Sequence, residues 1–153
     1  MWGVQLNADG SPTTGKAVAL PGIGSGGYEG IQNDADGNLW IVEDIGGSTV
    51  PGTNGKKPNS YVYRFVPVDR ADLTKGGTLQ ALQVLRRDGS PATAAQLSAN
   101  PSDPIITDLH TYGTTLKTAW VPVHTDTDAF NATASAAAAN ATPFKRPENG
   151  VFR

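Results

Sequence analysis

Four carboxylates stand where the chain constrains them and could do chemistry. Glu29 precedes Gly30, Glu148 follows Pro147, and the pair Glu43-Asp44 closes the apolar run that begins at Leu39. Hard cations such as Ca²⁺ are held by several oxygen ligands converging on one cavity. Two such ions could clamp a phosphoryl group and activate a water for in-line attack. A plainer reading stands beside this one. Glu29 and Glu148 are then surface carboxylates at strand ends, and Glu43-Asp44 caps loop N–H groups.

Other polar constellations are weaker. Asp34-Ala35-Asp36-Gly37-Asn38 has the look of a calcium loop, but its Gly comes too early and the twelfth position is Ile45 rather than a bidentate Glu. It reads as a hairpin turn, with Gly37 supplying a positive φ. His124-Thr125-Asp126-Thr127-Asp128 alternates potential ligands just past a strand, and a solvated polar loop is the competing reading. His110 is isolated and reads as structural. Trp2, Trp40 and Trp120 each fall in an expected strand, where packing between sheets is the default role. The sequons at Asn131 and Asn140 lie in an Ala/Thr-biased stretch and read as coincidental.

The elements that must position these residues are strands. Gly 18 and Pro 11 in 153 residues favour turns over helices. Alternating apolar and polar residues predict strands at residues 2–6, 16–20, Tyr28–Asn33, Leu39–Glu43, Ser60–Val66, Leu79–Leu85 and Leu116–Val123. Pro122 suits an edge strand in the last of these. Asn7 to Pro12 is a turn signal, Gly46 to Pro58 a polar loop, and residues 92–104 a loop or short helix. Residues 129–141 are Ala-rich and predict a short helical insertion that buries little beyond methyl groups. The expected fold is all-β: a partial β-propeller of roughly two to three four-stranded blades spanning 1–153. Such a set is too small to close, so the expectation is a domain truncated at both ends.

Bulk properties narrow the function further. A net charge of -2 makes no field for nucleic acid or an anionic membrane, and no apolar run approaches bilayer length. No cysteine is present, so disulfides, thiolate ligands and a cysteine nucleophile are excluded. The first residues carry no basic and apolar leader of the signal-peptide kind.

Three segments together resemble the bacterial PhoX-type alkaline phosphatase family. They are Tyr28-Glu29-Gly30-Ile31 with Gly37-Asn38-Leu39-Trp40-Ile41-Val42-Glu43-Asp44; Ser60 to Pro67 with Asp72-Leu73-Thr74-Lys75-Gly76-Gly77-Thr78-Leu79; and Thr142-Pro143-Phe144-Lys145-Arg146-Pro147-Glu148-Asn149-Gly150. The resemblance implies a propeller of about six blades, exported to the periplasm or beyond, that hydrolyses phosphomonoesters. It also implies calcium and iron at the centre of one face. Glu29, Glu148, Glu43 and Asp44 match the family's acidic positions and become the expected metal residues. Two positions depart from the family: Tyr28 stands where it often has His, and Ile45 where it often has Arg. The family's cysteine ligand has no counterpart here.

Two other functions compete. A non-catalytic propeller could keep the scaffold as a binding module, and a gluconolactonase-like hydrolase could use a single Ca²⁺ beside a blade hairpin. The Lys75-Gly76-Gly77 and Arg146-Pro147-Glu148 phrases favour the phosphatase resemblance. This chain by itself is expected to be inactive, carrying part of a metal site, with the remaining blades as its partners.

Overall fold

From the strand at Tyr28 onward, each strand pairs antiparallel with the one before it in the chain. A computed structural model describes residues 2–3 and 17–148. Strands β1 (Trp2–Gly3) and β2 (Val18–Ala19) form a short antiparallel pair. The main sheet contains β3 (Tyr28–Asn33), β4 (Leu39–Glu43), β5 (Val62–Pro67), β6 (Gly77–Leu85) and β7 (Lys117–His124). Its spatial order follows the chain, β3-β4-β5-β6-β7, and its two edges are open. The expected turn at Asn7 to Pro12, most of the first strand and the segment after Glu148 lie outside the described residues.

The period of two decides which side is core. Ile41, Tyr63, Phe65, Leu79 and Ala81 all face one side and are fully buried. Burying a large apolar side chain is worth about 1.5–3 kcal/mol, so this face dominates the packing. A 3-10 turn at Pro21–Ile23 and helix α3 (Ala132–Ala138) cover it. The opposite face is half-buried. There Trp40 and Trp120 meet edge to face at 4.9 Å, and the Arg64 guanidinium lies 4.8 Å from the Trp120 ring centre.

The four expected strands from Tyr28 to Leu85 are present, and the expected strand at Leu116–Val123 joins them as a fifth in the same sheet. Pro122 lies on edge strand β7, opposite Gln80. The register shifts there, since Leu79 faces His124 while Gln80 faces Pro122, leaving Val123 as the extra residue of a bulge. An edge tolerates both the missing proline N–H and the bulge.

The region expected as loop or short helix contains α1 (Ala94–Ala99), followed by α2 (Pro104–Leu109). Thr93 and Gln96 form a reciprocal capping box on α1. Asp103 caps α2 ahead of Pro104 and receives a two-pronged ion pair from Arg86 at 2.7 and 2.9 Å, tying α2 to the end of β6. These helices bury Leu97 and Ile105 with Val84 and Ala92 in a second, smaller core.

The Ala-rich insertion is a helix, shorter than its sequence span. Asn131 caps α3 by accepting from the Ala134 N–H at 2.8 Å. Asn140, at φ +58°, ends it in the left-handed region, with the Ala141 N–H reaching the Ala136 carbonyl. Ala132 and Ala136, one turn apart, are the fully buried methyls of this helix. Among the described residues, no helix is long and apolar enough to cross a membrane.

Candidate functional site

The pairing of β3 with β4 places Glu29. Tyr28 faces Glu43 and Gly30 faces Val42, so Glu29 is the extra residue of a bulge. Bulges re-aim side chains and are enriched beside active sites. One residue past β4, the Asp44 N–H reaches the Gly27 carbonyl at 2.9 Å, holding Asp44 next to the start of β3.

Ser60 brings in the third segment. Its fully buried hydroxyl accepts from the Ile45 N–H and donates to the Ile45 carbonyl, both at 2.9 Å. Its backbone pairs with Phe144: the Phe144 N–H reaches the Ser60 carbonyl at 2.7 Å, and the Ser60 N–H reaches the Phe144 carbonyl at 3.1 Å. One residue thus anchors the chain just after Asp44 and just before Arg146. Ser60 was not singled out in the sequence, where a polar residue opening a strand carries no distinguishing signal.

The result is a cluster around Arg146. Its guanidinium grips the Asp44 carboxylate with two nitrogens, Nε on Oδ1 and a terminal nitrogen on Oδ2, the latter at 2.6 Å. The same terminal nitrogen lies 3.8 Å from Glu148 Oε1. Hydrogen bonding to Arg146 lowers the Asp44 pKa, and a hydrogen bond to Asp44 raises that of Glu29. Arg146 is held still more firmly protonated by Asp44. Arg146 and Glu148 adopt φ of +49° and +57°, left-handed conformations that non-glycine residues seldom occupy.

Glu43 stands apart from this group. Its side chain turns into the core, where Oε2 accepts from the Tyr61 N–H at 2.9 Å and Oε1 from the Thr133 hydroxyl at 2.7 Å. Burial raises its pKa. Three tyrosines pack around it. The Tyr28 hydroxyl donates to the Ile23 carbonyl at 2.6 Å, whereas the buried Tyr63 hydroxyl makes no well-aligned hydrogen bond. Burial and the nearby Glu43 charge push Tyr61 up to about 12 and raise Tyr28 and Tyr63 as well. Gly26 leaves the room this carboxylate needs, since a Cβ there would lie 2.6 Å from Oε1.

The weaker constellations are structural. Asp34 organises the β3–β4 hairpin. Its Oδ1 accepts from the Asp36 and Asn38 N–H groups, and its Oδ2 from the Asn38 side chain and the Trp40 indole, all at 2.9 Å. Gly37 takes φ +76° in the same turn. His124 stacks on Phe130 at 3.7 Å and lies 3.1 Å from Asp128. The His110 Nδ1 sits 2.6 Å from the Ile106 carbonyl at the end of α2.

As placed, these residues do not fit a metal cage. The Asp44 oxygens are taken by Arg146 and those of Glu43 by Tyr61 and Thr133. Among the described residues, no three His, Asp or Glu side chains are grouped so as to hold an ion. Comparison with protein-family models, with curated proteins and with solved structures gives no match.

Proposed function

We propose that this chain supplies a phosphate-binding corner of a β-propeller phosphomonoesterase, the five-stranded sheet being one blade. The observation that carries this reading is the grouping of Asp44 and Glu148 on Arg146 with Glu29 beside Asp44, three separate parts of the chain. Two of these four residues hold a left-handed backbone. Strain of that kind persists where the surroundings over-determine it, and it concentrates at functional sites.

The roles follow from the chemistry of each group. Asp44 takes the Nε edge of Arg146 and fixes its orientation, which leaves the remaining terminal N–H groups for phosphate oxygens. Glu29, whose pKa the neighbouring Asp44 raises, is the candidate proton donor to a leaving oxygen. Glu148 lies on the other side of Arg146 as a second acceptor. Export to the periplasm or beyond belongs to the same reading.

Titration calorimetry of inorganic phosphate into the 153-residue chain tests the proposal. Binding with a millimolar constant, abolished in Arg146→Ala, is the expected result. Absence of binding up to about 10 mM, roughly the weakest interaction such a site would supply, overturns it. So does binding that Arg146→Ala leaves unchanged. Hydrolysis of p-nitrophenyl phosphate by this chain alone is not expected.

One observation favours a second reading, a propeller module that binds without catalysing. Two of the four acidic positions, Glu43 and Asp44, are saturated by protein donors. Phosphate binding with no turnover in the protein carrying this chain, at any calcium concentration, would select it.

A further inference from the structure

The second, smaller core is open on one side. Helix α2 and the segment 143–147 face each other there across a groove of about 150 Å³. Leu97, Ile106 and Leu109 line it from the helical side, Phe144 and Pro147 from the other. Both walls are anchored. The Arg86–Asp103 ion pair holds the start of α2. The Phe144 backbone pairs with Ser60. Just before it, the buried Thr142 hydroxyl donates to the Ala92 carbonyl at 2.7 Å and accepts from the Val84 N–H at 2.8 Å. The space is therefore formed before anything enters it, and its apolar lining forgoes contacts that an occupant would restore.

The polar lining is sparse. The His110 Nδ1 lies 2.6 Å from the Ile106 carbonyl, a contact that puts the proton on Nδ1 and ties the ring back to α2. Lys145 is exposed and makes no ion pair among the described residues. No described carboxylate lines the groove. Arg146, next in the chain, is turned onto Asp44 and takes no part in the lining.

We propose that this groove binds a small apolar carboxylate, aromatic or branched aliphatic, whose body lies between Ile106, Leu109 and Phe144 and whose charge meets the Lys145 ammonium. Two features select that occupant. An apolar space of this size holds about one benzene ring. The one charged side chain of the lining is a cation on a flexible stem, which complements a monoanion and disfavours a cation of the same shape. The site is separate from the Arg146 cluster and independent of the phosphate reading.

Methyl resonances of Ile106 and Leu109 in the 153-residue chain report occupancy directly. Benzoate is the probe, benzylammonium its cationic counterpart, and acetate the carboxylate without a ring. Benzoate is expected to shift both residues with a dissociation constant on the order of 1 mM, the range open to a ligand of this size. Benzylammonium should bind about threefold more weakly or worse, and acetate should leave the methyls in place. Lys145→Gln removes the charge at an exposed position and should weaken benzoate about threefold, as loss of an exposed ion pair does. Ile106→Trp fills the groove and should abolish the shift at Leu109, with circular dichroism checking that the chain is folded.

Benzoate that moves neither residue up to about 20 mM overturns the proposal. So does equal affinity for benzoate and benzylammonium, or a Lys145→Gln variant that binds benzoate as tightly as the unmodified chain. Should Ile106→Trp unfold, the Lys145→Gln comparison decides by itself.

Discussion

The Ser60 hydroxyl exchanges two hydrogen bonds with the backbone of Ile45, accepting from its N–H and donating to its carbonyl at 2.9 Å each. Because Ser60 also pairs through its own backbone with Phe144, this contact joins the end of β4 to the segment bearing Arg146. Substituting Ser60 with Ala leaves the Ile45 groups without their partner. An unsatisfied group in such a setting costs about 1–3 kcal/mol. Urea unfolding of Ser60→Ala should show a loss of that size at unchanged slope, with phosphate affinity reduced as well. An unaltered midpoint would show that water replaces the hydroxyl without cost.

Arg146→Lys keeps the charge and loses the fork. A lysine ammonium cannot grip both Asp44 oxygens in one plane and still present aligned donors to a ligand. Inorganic phosphate should bind about tenfold more weakly to this variant than to the unmodified chain, since one charge-assisted bond accounts for a change of that order. Calorimetry that finds equal affinity would reduce Arg146 to a point charge.

Asp34 gives the hairpin an acid sensitivity. Hydrogen bonds from the Trp40 indole and Asn38 hold its pKa at about 2, below the ordinary 3.8. A carboxyl depressed in the folded state contributes stability above its ordinary pKa and loses it as pH falls through the folded value. Thermal melts from pH 5 to pH 2 should therefore fall more steeply for the unmodified chain than for Asp34→Asn. Parallel curves would show that the turn survives without the charge.

Glu43 behaves in the opposite sense. Its folded-state pKa is raised above 4.5 by burial, so the folded chain binds the proton more tightly than the unfolded one. Its contribution is greatest below pH 4.5 and declines as pH rises toward the folded value. Glu43→Gln should flatten the fall in stability as pH rises above about 4.5. Identical slopes for the two proteins would mean that the Tyr61 and Thr133 donors offset the burial completely.

Local sequence determined the strands and the hairpin. The alternation in Val62–Pro67 and Gly77–Leu85 requires one buried face, and Asp34 with Gly37 specifies a turn through bonds within five residues. Periodicity and turn chemistry act over a few residues, so they are legible without the fold. The capping box of Thr93 and Gln96 and the Asp103-Pro104 start were equally local signals, and they explain α1 within the span expected as loop or short helix and α2 where that span ends. The acidic candidates were legible as residue types, and Glu29, Asp44 and Glu148 do share one cluster. Tertiary structure alone decided the rest. The β3 bulge turned Glu29 toward Asp44, and the one-residue alternation at the end of β4 sent Glu43 into the core while Asp44 met Arg146. Residues 44 and 146 lie far apart in the chain, and they meet because Ser60 binds both neighbourhoods. No local pattern encodes a contact closed over that distance.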